Sequence, residues 1–110
     1  MEVIEEKENE ISIFKLQGRL DSNTAPGFEK QVFDAIEDGS KQIVLDFENL
    51  DYISSAGLRV ILKTSKNLKV SDGRIVICSM QDYVREVFEI AGFDALLPIV
   101  ATRDDALKML

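Results

Sequence analysis

The sequence predicts an α/β fold: a mixed β-sheet that opens on an N-terminal hairpin and carries about four α-helices, in the order ββαβαβαβα. Three observations lead there. Two strand-like runs stand together at the start, with only a polar connection between them. After them, apolar residues at helical spacing alternate with short β-branched runs, the pattern of parallel strands joined by crossover helices. Two of those runs, around Ile43-Val44-Leu45 and Ile75-Val76-Ile77-Cys78, are apolar without alternation, as in strands covered on both faces. With 110 residues the chain has room for one core, so residues 1–110 are expected to form one domain.

Taken in order, Val3 to Glu6 and Ile11 to Gln17 are the hairpin strands, joined through Lys7-Glu8-Asn9-Glu10. In the second strand Ile11 and Ile13 point one way, and Ser12, Phe14 and Leu16 the other. A helix is expected after the cap-rich segment Asp21-Ser22-Asn23-Thr24, because Pro26 is tolerated in a first turn. Phe28, Val32, Ala35 and Ile36 form its inner face and Gly39 its left-handed stop. Lys41 to Phe47 is a central strand. Leu58, Ile61, Leu62, Ser65 and Leu68 make the inward stripe of a second helix, which ends before Ser71-Asp72-Gly73. Arg74 to Cys78 is another buried strand. Ser79-Met80-Gln81-Asp82 has a capping-box layout ahead of a helix with Val84, Val87, Phe88 and Ala91 inside, closed by Gly92. A short strand is expected around Leu96 and Leu97, and Thr102 caps a final helix containing Ala106, Leu107 and Leu110.

Composition removes several functions. The formal net charge of −7 sets up a field that repels nucleic-acid phosphates and anionic lipid headgroups, so neither nucleic acid nor membrane is an expected partner. No run is apolar enough to span a bilayer and the N-terminus lacks a basic, apolar leader pattern, which predicts a cytoplasmic protein. There is no histidine, which excludes His-based triads and His-containing metal sites. Cys78, the only cysteine, lies in an apolar run and reads as a buried, inert thiol. Neither phosphate-binding glycine pattern occurs, and the acidic clusters lack calcium-loop spacing, so no cofactor and no metal are expected. Asp46 ends a buried strand as a phosphoacceptor aspartate would, but residues 94 to 107 contain no lysine of the kind a receiver domain needs after its last strand, and the first strands form a hairpin. Asp46 is therefore expected to be a strand-end or turn residue.

The informative stretch is Asp51-Tyr52-Ile53-Ser54-Ser55-Ala56-Gly57-Leu58, which passes from strand to helix. One serine at such a joint is an N-cap, worth about 1 kcal/mol. With Ser54 as the cap, Ser55 occupies the first turn without being needed there, and Ala56 and Gly57 leave it sterically open. A helix start also favours an added anion, and phosphorylation brings about −1.5 to −2 charges. Placed at an interface, such a group switches binding off by bulk, desolvation and repulsion.

On these residues the chain resembles STAS domains of the anti-sigma-factor antagonist type. The resemblance covers the hairpin, Gly18-Arg19-Leu20-Asp21, the strand Ile43 to Phe47, Asn49 to Leu58 and Ala91-Gly92-Phe93, and the Ser-Ser-Ala-Gly-Leu segment is its most specific part. It implies a single STAS domain that is not an enzyme. In that family the unphosphorylated antagonist binds an anti-sigma factor that is itself a serine kinase, which frees the sigma factor. Phosphorylation of a helix-start serine weakens the complex, and a metal-dependent serine phosphatase resets it. The motif's glycine and leucine place the phosphoacceptor at Ser55. Many relatives have Asp before that serine and Ser or Thr after it, where this chain has Ser54 and Ala56, so Ser54 stands as the alternative. The implied partner-binding set is Asp21, Ser22, Asn23, Ser54, Ser55, Gly57, Arg59 and Lys63. Two other readings are an accessory or sensor STAS module of a larger complex, such as one for lipid transport, and a small α/β enzyme with Ser55 as nucleophile. The enzyme reading needs a lysine or carboxylate base, for which no motif is present.

Overall fold

A computed structural model describes residues 1–110. The elements are β1 (Glu2–Glu8), β2 (Ile11–Leu20), α1 (Ala25–Glu37), β3 (Gln42–Ile53), α2 (Ser55–Val70), β4 (Arg74–Cys78), α3 (Asp82–Ile90), a 3-10 turn (Phe93–Ala95), β5 (Ile99–Val100) and α4 (Arg103–Met109). The expected order ββαβαβαβα is the observed one. The five strands lie side by side in sequence order, with β1 antiparallel to β2 and every later pair parallel. When consecutive parallel strands are neighbours, crossovers of one hand fall on the same face of the sheet. Accordingly α1, α2 and α3 cover one face, over Phe14, Leu16, Leu45 and Phe47, while α4 covers the other.

The two faces explain the unalternating runs. Ile43 and Leu45 point into the larger core, whereas Val44 points to the smaller one, beside Val76, Cys78, Ile11, Ile13 and Ala106 of α4. Ser12 shares its face with Phe14 and is fully buried, its hydroxyl bonded at 2.7 Å to that of Ser40. The hairpin is tighter than the four-residue connection expected. Asn9 and Glu10 alone make the turn, both at positive φ (50° and 69°), as a two-residue turn matching strand twist requires.

Several expectations are corrected. Asp46 is neither at a strand end nor in a turn: it lies inside β3, buried, because β3 runs on to Ile53. Just beyond it the β2–β3 register shifts, and an Asp46 carboxylate oxygen accepts the Glu48 N–H at 3.0 Å, replacing a ladder bond lost at the bulge. Ser79 does not cap α3. It ends β4 at φ 61°, donates its N–H to the Val100 carbonyl, and leaves the cap position to Gln81, which makes no side-chain cap bond. Ala91 lies outside α3 and is exposed rather than on its buried face. No strand forms at Leu96 and Leu97. Gly92 turns the chain at φ 77°, Phe93 packs edge-on against Phe88, Leu97 drops into the core, and the strand starts only at Ile99. Pro98 has no N–H, but its carbonyl accepts the Ile77 N–H at 2.9 Å, which ties the incoming segment to β4.

Candidate functional site

The strand-to-helix joint between β3 and α2 is a single residue, Ser54. Its extended backbone (φ −100°, ψ 173°) donates the N–H to the Leu20 carbonyl at 2.9 Å, which pins the joint to the end of β2. Its hydroxyl accepts the Gly57 N–H in a long bond of 3.4 Å. Ser54 is therefore half-buried and committed to the cap. Ser55, the first residue of α2, is exposed, and its hydroxyl makes no hydrogen bond within the protein.

Gly57, also in the expected partner-binding set, points the other way. It is buried, and a Cβ there would stand 2.7 Å from Leu20 Cγ and 3.0 Å from Ile53 Cγ1. The absence of a side chain at Gly57 lets the first turn of α2 press onto the ends of β2 and β3. Ala56 is half-buried against the core, so the accessibility of Ser55 comes from its place on the outer side of that turn, not from small neighbours.

The Asp21-Ser22-Asn23 loop does stand beside this joint. Leu20 pairs with Ile53 in the sheet, so the residues that follow each of them leave the sheet side by side. One Asp21 carboxylate oxygen accepts the N–H groups of Asn23 and Thr24 at 2.9 and 3.2 Å. The Asn23 N–H does most to hold the Asp21 carboxyl below its ordinary value, with the Thr24 bonds and the Arg19 guanidinium acting in the same direction. Thr24 was expected to be one of several helix caps. It does stand at the N-cap position of α1, but its hydroxyl accepts the Asp21 N–H and donates to the Arg19 carbonyl, both at 2.9 Å, and makes no cap bond to the helix. The loop is thus fixed by its own polar groups, and Ser22 and Asn23 are left exposed.

Arg59 and Lys63 are both exposed on α2 but differ in their commitments. Lys63 reaches across to α1, with its ammonium 2.9 Å from Glu29 and 5.6 Å from the centre of the Phe33 ring. Arg59 makes no ion pair.

Three residues outside the expected partner-binding set stand together near this end of the sheet. The Arg19 guanidinium lies 4.1 Å from the centre of the Tyr52 ring, and Tyr52 in turn stacks on Tyr83 at 6.4 Å. The β2–β3 register pairs Arg19 with Tyr52, and Tyr83 joins them from α3, so the cluster has no signal local in sequence. None of the four hollows on the protein is lined by Ser54 or Ser55. The largest, about 460 Å³, lies at the far end of the sheet between Lys7, Glu10 and Asp38 to Gln42. The serine joint thus lies outside every hollow and presents one free hydroxyl. No helix is long and apolar enough to cross a membrane.

The STAS domain matches residues 3–106. BtrV of Bordetella bronchiseptica, provisionally named an anti-sigma factor antagonist, is 40% identical over 106 residues, which is 96% of this chain and 91% of BtrV. The anti-sigma-B factor antagonist of Staphylococcus aureus is 32% identical over 85 residues, 77% of this chain and 79% of that relative. Among solved structures, the anti-sigma factor antagonist SpoIIAA in its unphosphorylated form gives a TM-score of 0.76 at 23% identity, covering 98% of this chain and 96% of SpoIIAA. The phosphorylated form of the Bacillus protein gives 0.77 at 24% identity, covering 98% of each chain. At that identity the SpoIIAA likeness is one of fold. The match from Val3 to Ala106, together with a relative that shares two residues in five over nearly its whole length, leads to one conclusion: this chain belongs to the STAS domain family.

Proposed function

We propose that this chain is an anti-sigma-factor antagonist whose attachment to its partner is switched off by phosphorylation of Ser55. The unmodified form binds an anti-sigma factor that is also a serine kinase, and the bound sigma factor is released. The kinase then transfers phosphate: the Ser55 hydroxyl oxygen attacks the γ-phosphorus of ATP, the bond to the β-phosphate bridging oxygen breaks, ADP leaves, and the hydroxyl proton passes to a base of the kinase. A serine phosphatase reverses this with water, returning the hydroxyl and releasing inorganic phosphate. Nothing in the cycle requires this chain to catalyse a reaction.

The observation that carries this reading is the division of labour at the joint. Ser54 spends its hydroxyl on the cap, while Ser55, one residue on, keeps its hydroxyl exposed and unbonded. The names of the relatives support the partner class, and SpoIIAA supports the idea that a protein of this fold carries phosphate. The partner face extends from Ser55 over Ser22, Asn23 and Arg59, with Asp21 ordering the loop beneath. Phosphopeptide mapping after incubation with the cognate kinase and ATP tests the assignment. Phosphate on Ser55, abolished by Ser55→Ala, is the expected result, and phosphate confined to Ser54 overturns it.

A further inference from the structure

The proposed modification places a phosphate on α2, and the same helix already holds a cation within reach of it. Ser55 and Arg59 are four residues apart in α2, so they lie on one face, one turn from each other. Helical side chains lean toward the N-terminus, so a long side chain at Arg59 covers the turn on which Ser55 stands. Both residues are exposed. The neighbouring cations are occupied elsewhere, Lys63 by Glu29 on α1 and Arg19 by Asp21 and the Tyr52 ring. Arg59 alone of these three has no carboxylate partner.

We infer that Arg59 is an internal receptor for the phosphate: free to face a partner in the unmodified chain, it turns onto the phosphoserine once Ser55 is esterified. This rests on Ser55 being the modified residue. Its planar guanidinium offers paired donors to phosphate oxygens, which an ammonium cannot match in geometry. Phosphorylation then does two things to the docking face at once. It adds an anion and it withdraws a cation, so the Ser55–Arg59 patch goes from a net charge of +1 to about −1. A partner that reads the positive face of this turn loses its contact as well as meeting a repulsive group.

The test uses full-length protein with phosphoserine incorporated at position 55 during translation, so no kinase is needed and the outcome is separate from whether any kinase chooses Ser55. The second ionisation of the phosphate, near pH 6, is followed by ³¹P NMR at low ionic strength. Arg59→Gln is expected to raise that midpoint by roughly 0.3 pH unit, because the dianion loses the guanidinium one helical turn away. Arg59→Lys should fall between the two, Lys63→Gln should match the wild type, and 0.5 M salt should erase the difference at about that ionic strength. Identical midpoints for wild type and Arg59→Gln at low salt would overturn the inference, as would an equal shift in Lys63→Gln.

Discussion

Ser54, Ser55 and Gly57 sit within one turn of chain and do three different jobs. Ser54 holds the helix start, Ser55 offers a hydroxyl to the outside, and Gly57 clears the space into which Leu20 and Ile53 press. The glycine gives a test in which two effects oppose each other. Alanine is the better helix former by about 1 kcal/mol, but its methyl would overlap Leu20, and overpacking of that kind costs about 1–3 kcal/mol. Gly57→Ala is therefore expected to lower stability by about 1 kcal/mol in urea denaturation, and a gain in stability would mean the contact is not tight. The cap could be read from sequence, because it depends only on residues three apart. The inward direction of Gly57 could not, since it is set by Leu20 on another strand, and the same holds for the stacking of Arg19 on Tyr52.

At the scale of elements, legibility followed the locality of the cause. Arg74 to Cys78 was expected as a strand and is β4 without adjustment, because an apolar run bounded by Gly73 and Ser79 carries its own limits. The sequence predicts a strand only as far as Phe47. It continues to Ile53 because β2 lies beside it through Leu20, and bulges absorb the mismatch. Ser79 has the composition of a cap, yet its N–H is claimed by β5, so a tertiary bond overrode a local preference. The β1–β2 turn supplies the prediction here. Glu10 sits at φ 69° without being glycine, so Glu10→Gly should relieve left-handed strain that exceeds the entropy glycine brings. A gain of about 0.5–1 kcal/mol is expected from chemical denaturation. A loss would show that the Glu10 side chain contributes something the hairpin geometry does not reveal.

The whole molecule is a sheet with a large core on one face and a small one on the other, and its proposed switch sits on the outer side of a helix that covers the large core. Cys78 reports on the small core. Burial between β3 and β5 pushes its thiol up to about 11, from an ordinary value of 9.0. A thiol raised in the folded state contributes stability that is fully present below the ordinary value and is lost as pH rises through the folded one, so the loss falls between pH 9 and 11. Native protein at pH 7 should resist iodoacetamide and become alkylated only as denaturant unfolds it, with alkylation and circular dichroism sharing one midpoint. Labelling ahead of that midpoint would mean that α4 opens separately from the rest. The proposed phosphate, by contrast, goes onto an exposed turn and touches neither core, so modification can change binding without changing the fold. The measurement that tests this most directly compares the unmodified chain with the chain carrying phosphoserine at 55, each presented at equal concentration to lysate of its own cells and then to the purified protein retained. An ATP-binding serine kinase held by the unmodified form and released by the phosphorylated one is the predicted result. Equal retention of the same partner by both forms would contradict it and would favour a STAS module that binds without a phosphate switch.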